Sequence, residues 1–143
     1  MTPVRERGFT IVSFLLLVAV AAAIFWAITF GPAYVELFEV GSIVHEAANL
    51  CYREPEDEKV KNFIMYKLQT SFSDEVMDHG RMVQALRFDI NRDDDIRIER
   101  TQIPPAVNIW VTYRRTVSFP FVGGQRQMVF TKHTEQELSQ VKW

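Results

Sequence analysis

Residues 89–100, DINRDDDIRIER, hold the densest set of oxygen ligands in the chain. Asp89, Asn91 and Asp93 stand at positions one, three and five of a calcium loop of the form D-x-[DN]-x-[DN]-G, whose carboxylate and amide oxygens wrap a hard cation. The sixth position, where that loop needs Gly for a sharp turn, is Asp94, and the twelfth, where it needs a bidentate Glu, is Arg100. The pattern fails at its two most demanding places, so the expectation is a solvated turn leading into a strand. His45, His79 and His133 stand singly, with no Cys, Asp or His at the i, i+4 spacing that puts two ligands on one helix face. Glu46 adjoins His45, but neighbouring helix positions do not face each other. The single cysteine, Cys51, cannot close an internal disulfide and reads as a small buried apolar residue. No G-x-S-x-G, P-loop or dinucleotide fingerprint occurs, and Gly123-Gly124 reads as a hairpin turn. Arg114 and Arg115 lie together in mid-strand. One of them must point inward or towards a partner, and an ion pair with Glu36, Glu39 or an acidic neighbour is expected there. The residues therefore call for no catalytic group, no cofactor and no metal.

The elements around these residues begin with a membrane segment. Residues 9–30, FTIVSFLLLVAVAAAIFWAITF, carry no charge, and only Thr10, Ser13 and Thr29 are polar. At 1.5 Å per residue such a helix spans about 33 Å, against a hydrocarbon core of about 30 Å. A cleaved secretory signal has a shorter apolar run and a small-residue exit, whereas GPAYVELFEV follows here. Arg5 and Arg7 precede the run, and the next basic residue is Arg53, beyond Glu36, Glu39 and Glu46. The positive-inside rule places residues 1–8 in the cytoplasm as a basic leader and residues 31–143 outside, in a periplasm. Trp26 and Tyr34 then fall near the outer interface.

The outer part is one domain's worth of chain. Without Arg5, Arg7 and Glu6, the 16 basic and 18 acidic residues become 14 and 17, which is no footprint for nucleic acid. Gly31-Pro32 punctuates the first helix, as a kink or as the first turn of a new helical segment, but need not end it, and an amphipathic helix is expected to continue the membrane helix outward. Tyr34, Leu37, Phe38, Gly41, Val44, Ala48 and Cys51 then recur at spacings of three and four, with Glu36, Glu39 and Glu46 on other faces. A second helix is expected from Pro55, with Glu56, Asp57 and Glu58 in its first turn and Val60, Phe63, Ile64 and Leu68 on its apolar face. Ser73 offers a cap for a short turn or a third helix ending at Gly80, and residues 81–90 are ambiguous between helix and strand. Ile96 and Ile98 begin an alternating pattern. Val107, Ile109, Val111, Tyr113, Val117 and Phe119 share one face of the strongest strand, in a row broken only by Arg115. Residues 102–106 supply the turn before it and FVGGQ the turn after it, with 126–133 as the returning strand. The expectation is an α+β domain of three antiparallel strands packed on an N-terminal helix. The tail from residue 134 is helical or frayed.

The segment R-E-R-G-F-T-I-V-S-F-L-L-L, residues 5–17, resembles the N-terminus of type IV pilin-like proteins. That resemblance implies cleavage after Gly8 by prepilin peptidase, methylation of Phe9, and a pilin-like helix-then-sheet fold. Pilins carry a Glu five residues into the mature chain, which meets a neighbour's N-terminal amine during assembly. Ser13 stands at that place here. A carboxylate in lipid is costly and persists for function, so the main reason to expect filament packing is missing. Over nearly its whole length the chain is also similar to a family of short bacterial single-pass proteins of unknown function. They share a basic R-G-[FL]-[ST] start and one membrane helix. A Pro and a Tyr follow, as in Gly31-Pro32-Ala33-Tyr34-Val35-Glu36, and a strand of the type VNIWVTYRRTVSFPF leads into a hairpin. The resemblance implies an anchored, non-catalytic protein.

Three readings follow. The first is an uncleaved inner-membrane accessory subunit that docks its periplasmic domain on envelope proteins, with Ser13, Arg114 and Arg115 as candidate contacts. The second is a minor pilin or pseudopilin cleaved after Gly8 and placed in a pilus or type II secretion filament. The third is a periplasmic enzyme or ligand-binding domain, which no motif supports.

Overall fold

The computed structural model describes residues 10–139. Helix α1 runs unbroken over Ile11–Leu50, 40 residues and about 60 Å at the helical rise. Its first half is rich in Leu and Ala, both strong helix formers. Thr10 caps it, with Oγ1 accepting the Ser13 N–H at 3.3 Å. Pro32 has no N–H to offer the Ile28 carbonyl, yet the helix continues through it. The apolar helix thus continues past Gly31-Pro32 into the domain, as the amphipathic spacing leads one to expect.

Helix α2 spans Asp57–Phe72 with Glu56 as its N-cap residue, so Pro55 lies just outside it and not at its first position. Asp57 and Glu58 still occupy the first turn, where the helix dipole favours acids. Val60, Ile64, Leu68 and Phe72 form its buried face.

The chain then departs from expectation. Residues 73–80 are not a short turn or a third helix, and residues 81–86 take the strand alternative: β1 (Ser73–Asp78) pairs antiparallel with β2 (Arg81–Leu86) in a two-stranded ribbon. The turn between them is His79-Gly80, both at positive φ (47° and 80°), which suits the right-handed twist of a tight hairpin. Ser73 does not cap a new helix; its hydroxyl donates to the Gln69 carbonyl at the end of α2. The ribbon escaped sequence reading because nearly all of β1 and β2 is exposed, so no apolar alternation marks it.

A single-turn helix, α3 (Arg92–Asp95), leads into β3 (Ile96–Gln102), β4 (Pro105–Ser118) and β5 (Gln125–Glu137), an antiparallel sheet of order β3-β4-β5. The fold class is therefore α+β, with a long N-terminal apolar helix, a second helix and a three-stranded sheet, as expected. The residues after 133 extend β5 and are neither helical nor frayed as far as Glu137. In register, Ile98 faces Ile109, Ile96 faces Val111 and Tyr113 faces Phe130. These residues form one apolar face of the sheet. It packs against Val40, Ile43, Val44 and Ala47 of α1 and the apolar face of α2.

The buried face of α1 is turned relative to the expected stripe. Ala33, Glu36, Val40, Ile43, Val44, Ala47 and Ala48 are buried, whereas Phe38 is 79% exposed. Gly41 sits where the stem of Lys132 crosses α1; a Cβ there would lie 2.6 Å from Lys132 Cε. The rotation is set by the sheet, which offers an arginine opposite position 36 and a lysine stem opposite position 41.

Denaturant unfolding of the full chain in detergent tests this face. Ile109→Ala should lose about 2–5 kcal/mol through lost burial and a residual cavity. Phe38→Ser should change stability by less than about 0.5 kcal/mol, since an exposed side chain has little to lose. Comparable losses for both would place Phe38 in the core.

Candidate functional site

Two regions hold the residues singled out from sequence. The first is the N-terminal part of α1. Every side chain from Ile11 to Ile24 is exposed, and cover by the rest of the chain begins at Phe25. Among the described residues this is the one helix long and apolar enough to cross a membrane. Ser13 lies in its first turn, exposed, with Oγ 2.9 Å from Thr10 Oγ1. Its hydroxyl is satisfied locally and reaches no residue of the domain. Gly8 and Phe9 lie outside the described residues.

Where cover begins, aromatic rings gather. Trp26 stands 5.9 Å from Phe30 and 5.8 Å from Tyr34, and Tyr34 stands 6.0 Å from Phe130 of β5. The turn between β4 and β5, residues 119–124, reaches down to the same level. Its Phe119 ring is 6.1 Å from Phe30, and its Phe121 ring is 6.3 Å from Phe25.

The second region surrounds the two arginines. Successive strand residues face opposite ways, so Arg114 and Arg115 separate. Arg115 faces inward, its Nη1 2.6 Å from Glu36 Oε2. The contact is a close ion pair and not a well-aligned hydrogen bond, since Oε2 finds no aligned donor. Arg87 adds a second cation 3.9 Å from Glu36 Oε1 and holds Asp74 with two 2.8 Å hydrogen bonds. Burial is the largest influence on Glu36 and outweighs both guanidinium charges, leaving its carboxyl above the usual range. Beside it the Tyr113 hydroxyl is buried with no hydrogen-bond partner, and burial pushes its pKa up. The pairing expected of one inward arginine with Glu36 is thus met by Arg115, while the burial of Glu36, which lies off the expected apolar stripe, comes from the sheet above it.

Arg114 faces outward and grips Asp95, with Nη1 3.0 Å from Oδ2 and Nη2 2.9 Å from Oδ1. The Asn91 N–H also donates to Asp95 Oδ2 at 2.7 Å. Burial alone would raise the Asp95 pKa, but the Arg114 and Asn91 hydrogen bonds and the arginine's charge together bring it below the usual value. The backbone of Asp89 pairs with that of Arg114 at 2.8 and 2.9 Å. The acidic run is thus only partly a solvated turn: Asp95 is buried. Sequence reasoning passed over Asp95, whose signal was its place one residue ahead of a strand that must bury Ile96.

The other candidate ligands disperse. Asn91 caps α3, its Oδ1 accepting the Asp93 N–H at 3.0 Å, and Asp93 pairs with Arg92 at 2.8 Å. Arg100 turns inward, donating to Asp57 Oδ1 at 2.8 Å, the Glu54 carbonyl at 3.0 Å and the Cys51 carbonyl at 3.4 Å. His79 contacts Asp78 at 2.5 Å, and His133 stacks on Trp110 with centroids 4.7 Å apart. Cys51 is buried at the C-terminal end of α1, and burial pushes its thiol pKa up. Among the described residues no group of three or more His, Cys, Asp or Glu side chains could hold a metal ion. Comparison with family models, with curated proteins and with solved structures finds no match to this chain.

The two ion pairs carry opposite pH signs. Asp95, lowered in the fold, contributes stability above its ordinary pKa of 3.8 and loses it as pH falls through the folded value. Asp95→Asn should lose about 1–3 kcal/mol at pH 7, discounted because Arg114 is partly solvated. The gap to wild type should close as the solution is acidified below pH 3.8. Glu36, raised, contributes stability below 4.5 that is lost as pH rises through its folded value. Glu36→Gln should flatten that limb of the stability profile. Tyr113→Phe should be neutral or stabilising by up to about 1 kcal/mol, since it removes an unpaired buried hydroxyl; a loss instead would reveal a partner for that hydroxyl.

Proposed function

We propose that this chain is a single-pass protein of the bacterial inner membrane. Its N-terminus is cytoplasmic, and its periplasmic α+β domain serves as a non-catalytic structural or accessory subunit of an envelope assembly. The observation that carries the reading is the stretch Ile11–Ile24, fourteen consecutive helical residues with no side chain covered by the domain. Leu16, Leu17, Ile24 and their neighbours have no reason to stay bare in water when each could gain about 1.5–3 kcal/mol by burial. Lipid is the solvent that suits them. Arg5 and Arg7 before the stretch support the orientation.

The accessory role is supported by the ribbon of β1 and β2. Val76 with Val83 and Met77 with Met82 make two exposed cross-strand apolar pairs, one on each face of the ribbon. Exposed apolar groups mark sites of interaction, and the methionine pair adapts to irregular partners. The side-chain chemistry nearest to an active site, the Glu36–Arg115–Arg87–Asp74 network, is occupied in joining α1 to the sheet.

A second reading rests on Gly8-Phe9. The bond between them matches the cleavage point of pilin-like proteins, and the chain would then be a minor pilin or pseudopilin placed in a filament. Ser13, which brings no carboxylate to meet a neighbour's amine, weighs against tight filament packing.

Alkaline carbonate washing of native membranes, followed by intact mass of the detergent-extracted protein, tests both. The expected result is a protein retained by the membrane through the wash, with residues 1–8 still attached. Release by carbonate would sink the membrane reading. Loss of residues 1–8 with a methyl group on Phe9 would overturn the accessory reading in favour of the filament subunit.

A further inference from the structure

The length of the apolar run limits how α1 can sit in a bilayer. Arg7 stands two residues before Phe9 and marks the headgroup level on one side. A hydrocarbon core of about 30 Å takes about 20 residues of helix, which from Phe9 ends near Ile28. Protein cover begins earlier, at Phe25. From Phe25 to Ile28, about four residues or roughly 6 Å of the core's depth, the domain covers one side of the helix while Trp26 and Ile28 on the other stay exposed. The last turn of membrane helix is therefore the turn against which residues 119–124 rest, with Phe121 beside Phe25.

We propose that the β4–β5 turn, residues 119–124, inserts into the leaflet on the domain's side, making lipid the partner of a second membrane contact. This rests on the reading that α1 crosses a bilayer. The turn reads Phe-Pro-Phe-Val-Gly-Gly and carries no charge. Phe121 is 84% exposed and Val122 78% exposed, which leaves two large apolar side chains bare at the level of the acyl chains. Its backbone suits the place as well. Pro120 brings no N–H, and the Phe119 N–H donates to the Gly124 carbonyl at 2.8 Å, so fewer unpaired donors enter the lipid. Gly123 takes φ +67°, which lets the turn close.

The flanks fit the interface. Arg126, exposed, lines a depression with Trp26, Phe30 and Tyr34. Its guanidinium can reach lipid phosphate while its stem lies along the rings. Trp26 and Tyr34 have the amphipathic rings that collect at headgroup level. The insertion depth, roughly 6 Å, is that of elements which lie in a membrane interface. Held by α1 and by the turn, the domain cannot tilt freely on the membrane, so the end that bears the turn stays at the lipid and the far end faces outward.

The test uses the full chain in phosphatidylethanolamine–phosphatidylglycerol vesicles, in a Cys51→Ala background. A polarity-sensitive fluorophore is placed by Val122→Cys at the turn, Val20→Cys in the bare helix, or Ile103→Cys. Ile103, 96% exposed, lies in the turn at the other end of β4. Quenching by lipids brominated along the acyl chain is then compared. Labels at 122 and 20 should both be quenched, 122 best by bromine near the headgroup and 20 best by bromine near the chain end, and each roughly fivefold more than the label at 103, because only the first two reach acyl depth. A label at 20 that is quenched while 122 behaves like 103 would overturn the insertion and leave the span intact. A label at 20 that is not quenched would overturn the span, and the insertion with it. All three sites are exposed, so labelling leaves the core untouched, and circular dichroism of each variant verifies the fold.

Discussion

Val40, Val44, Ala47 and Ala48 of α1 lie against Val107, Ile109, Val111 and Tyr113 of β4, and the rest of the chain is arranged around that contact. Small residues at 47 and 48 and a glycine at 41 let the helix approach the sheet closely. The sheet has one apolar face, and a three-stranded antiparallel sheet needs such a face covered before it is stable. Helix α2 covers part of it. The larger part falls to a helix whose other half is bare, so the same element supplies core in one half and, in the other, an apolar stretch long enough to cross a membrane.

Two arginines hold the inner face of the sheet to α1 at its two ends. Arg115 meets Glu36 at one end. Arg100 meets the carbonyls of Cys51 and Glu54, and Asp57, at the other. The second contact serves the end of a helix, where carbonyls lack helical donors, and it ties the α1–α2 connection to β3. A half-buried ion pair adds little net stability, since desolvation offsets much of the attraction. Its effect is to select one rotation of α1 and to penalise others, which would leave Arg115 without its carboxylate. Arg114, one residue on, does the same on the outer face by drawing Asp95 in and fixing the crossing of residues 87–95 over the edge of β4.

This division of labour bears on the proposed role. The side chains with the strongest electrostatic environment are all engaged in joining elements, and the surfaces left over are apolar: the first half of α1, the turn of residues 119–124 and the ribbon of β1 and β2. Bare apolar surface on a stable fold is evidence for contact with something other than water. Two of these surfaces lie at one end of the molecule and suit one bilayer. The ribbon lies on another element and suits a protein.

Much was legible in the residues themselves. The uncharged run of residues 9–30, the alternation from Val107 to Tyr113 and the glycines of the turn that follows are local patterns. Their period is set by backbone geometry, which every stretch of chain carries with it. The second helix was legible for the same reason, two residues out at its start because Pro55 is as suited to the position before a cap as to the first turn. What depended on distant residues was not legible. Glu36 reads as one of several acids that an inward arginine could take until Arg115 is placed above it. Phe38 reads as core until the sheet turns α1 part of the way round, which keeps Gly41, Val44, Ala48 and Cys51 buried and leaves Phe38 outside. Residues 73–86 bury too little to show any period, and their pairing rests on a turn of two positive φ angles. Which of the candidate acids each arginine takes, the exact rotation of α1 and the level of the β4–β5 turn beside Phe25 were decided by tertiary structure. Each depends on which elements meet, and a short window of sequence reports a residue's own chemistry but not its neighbour across the fold.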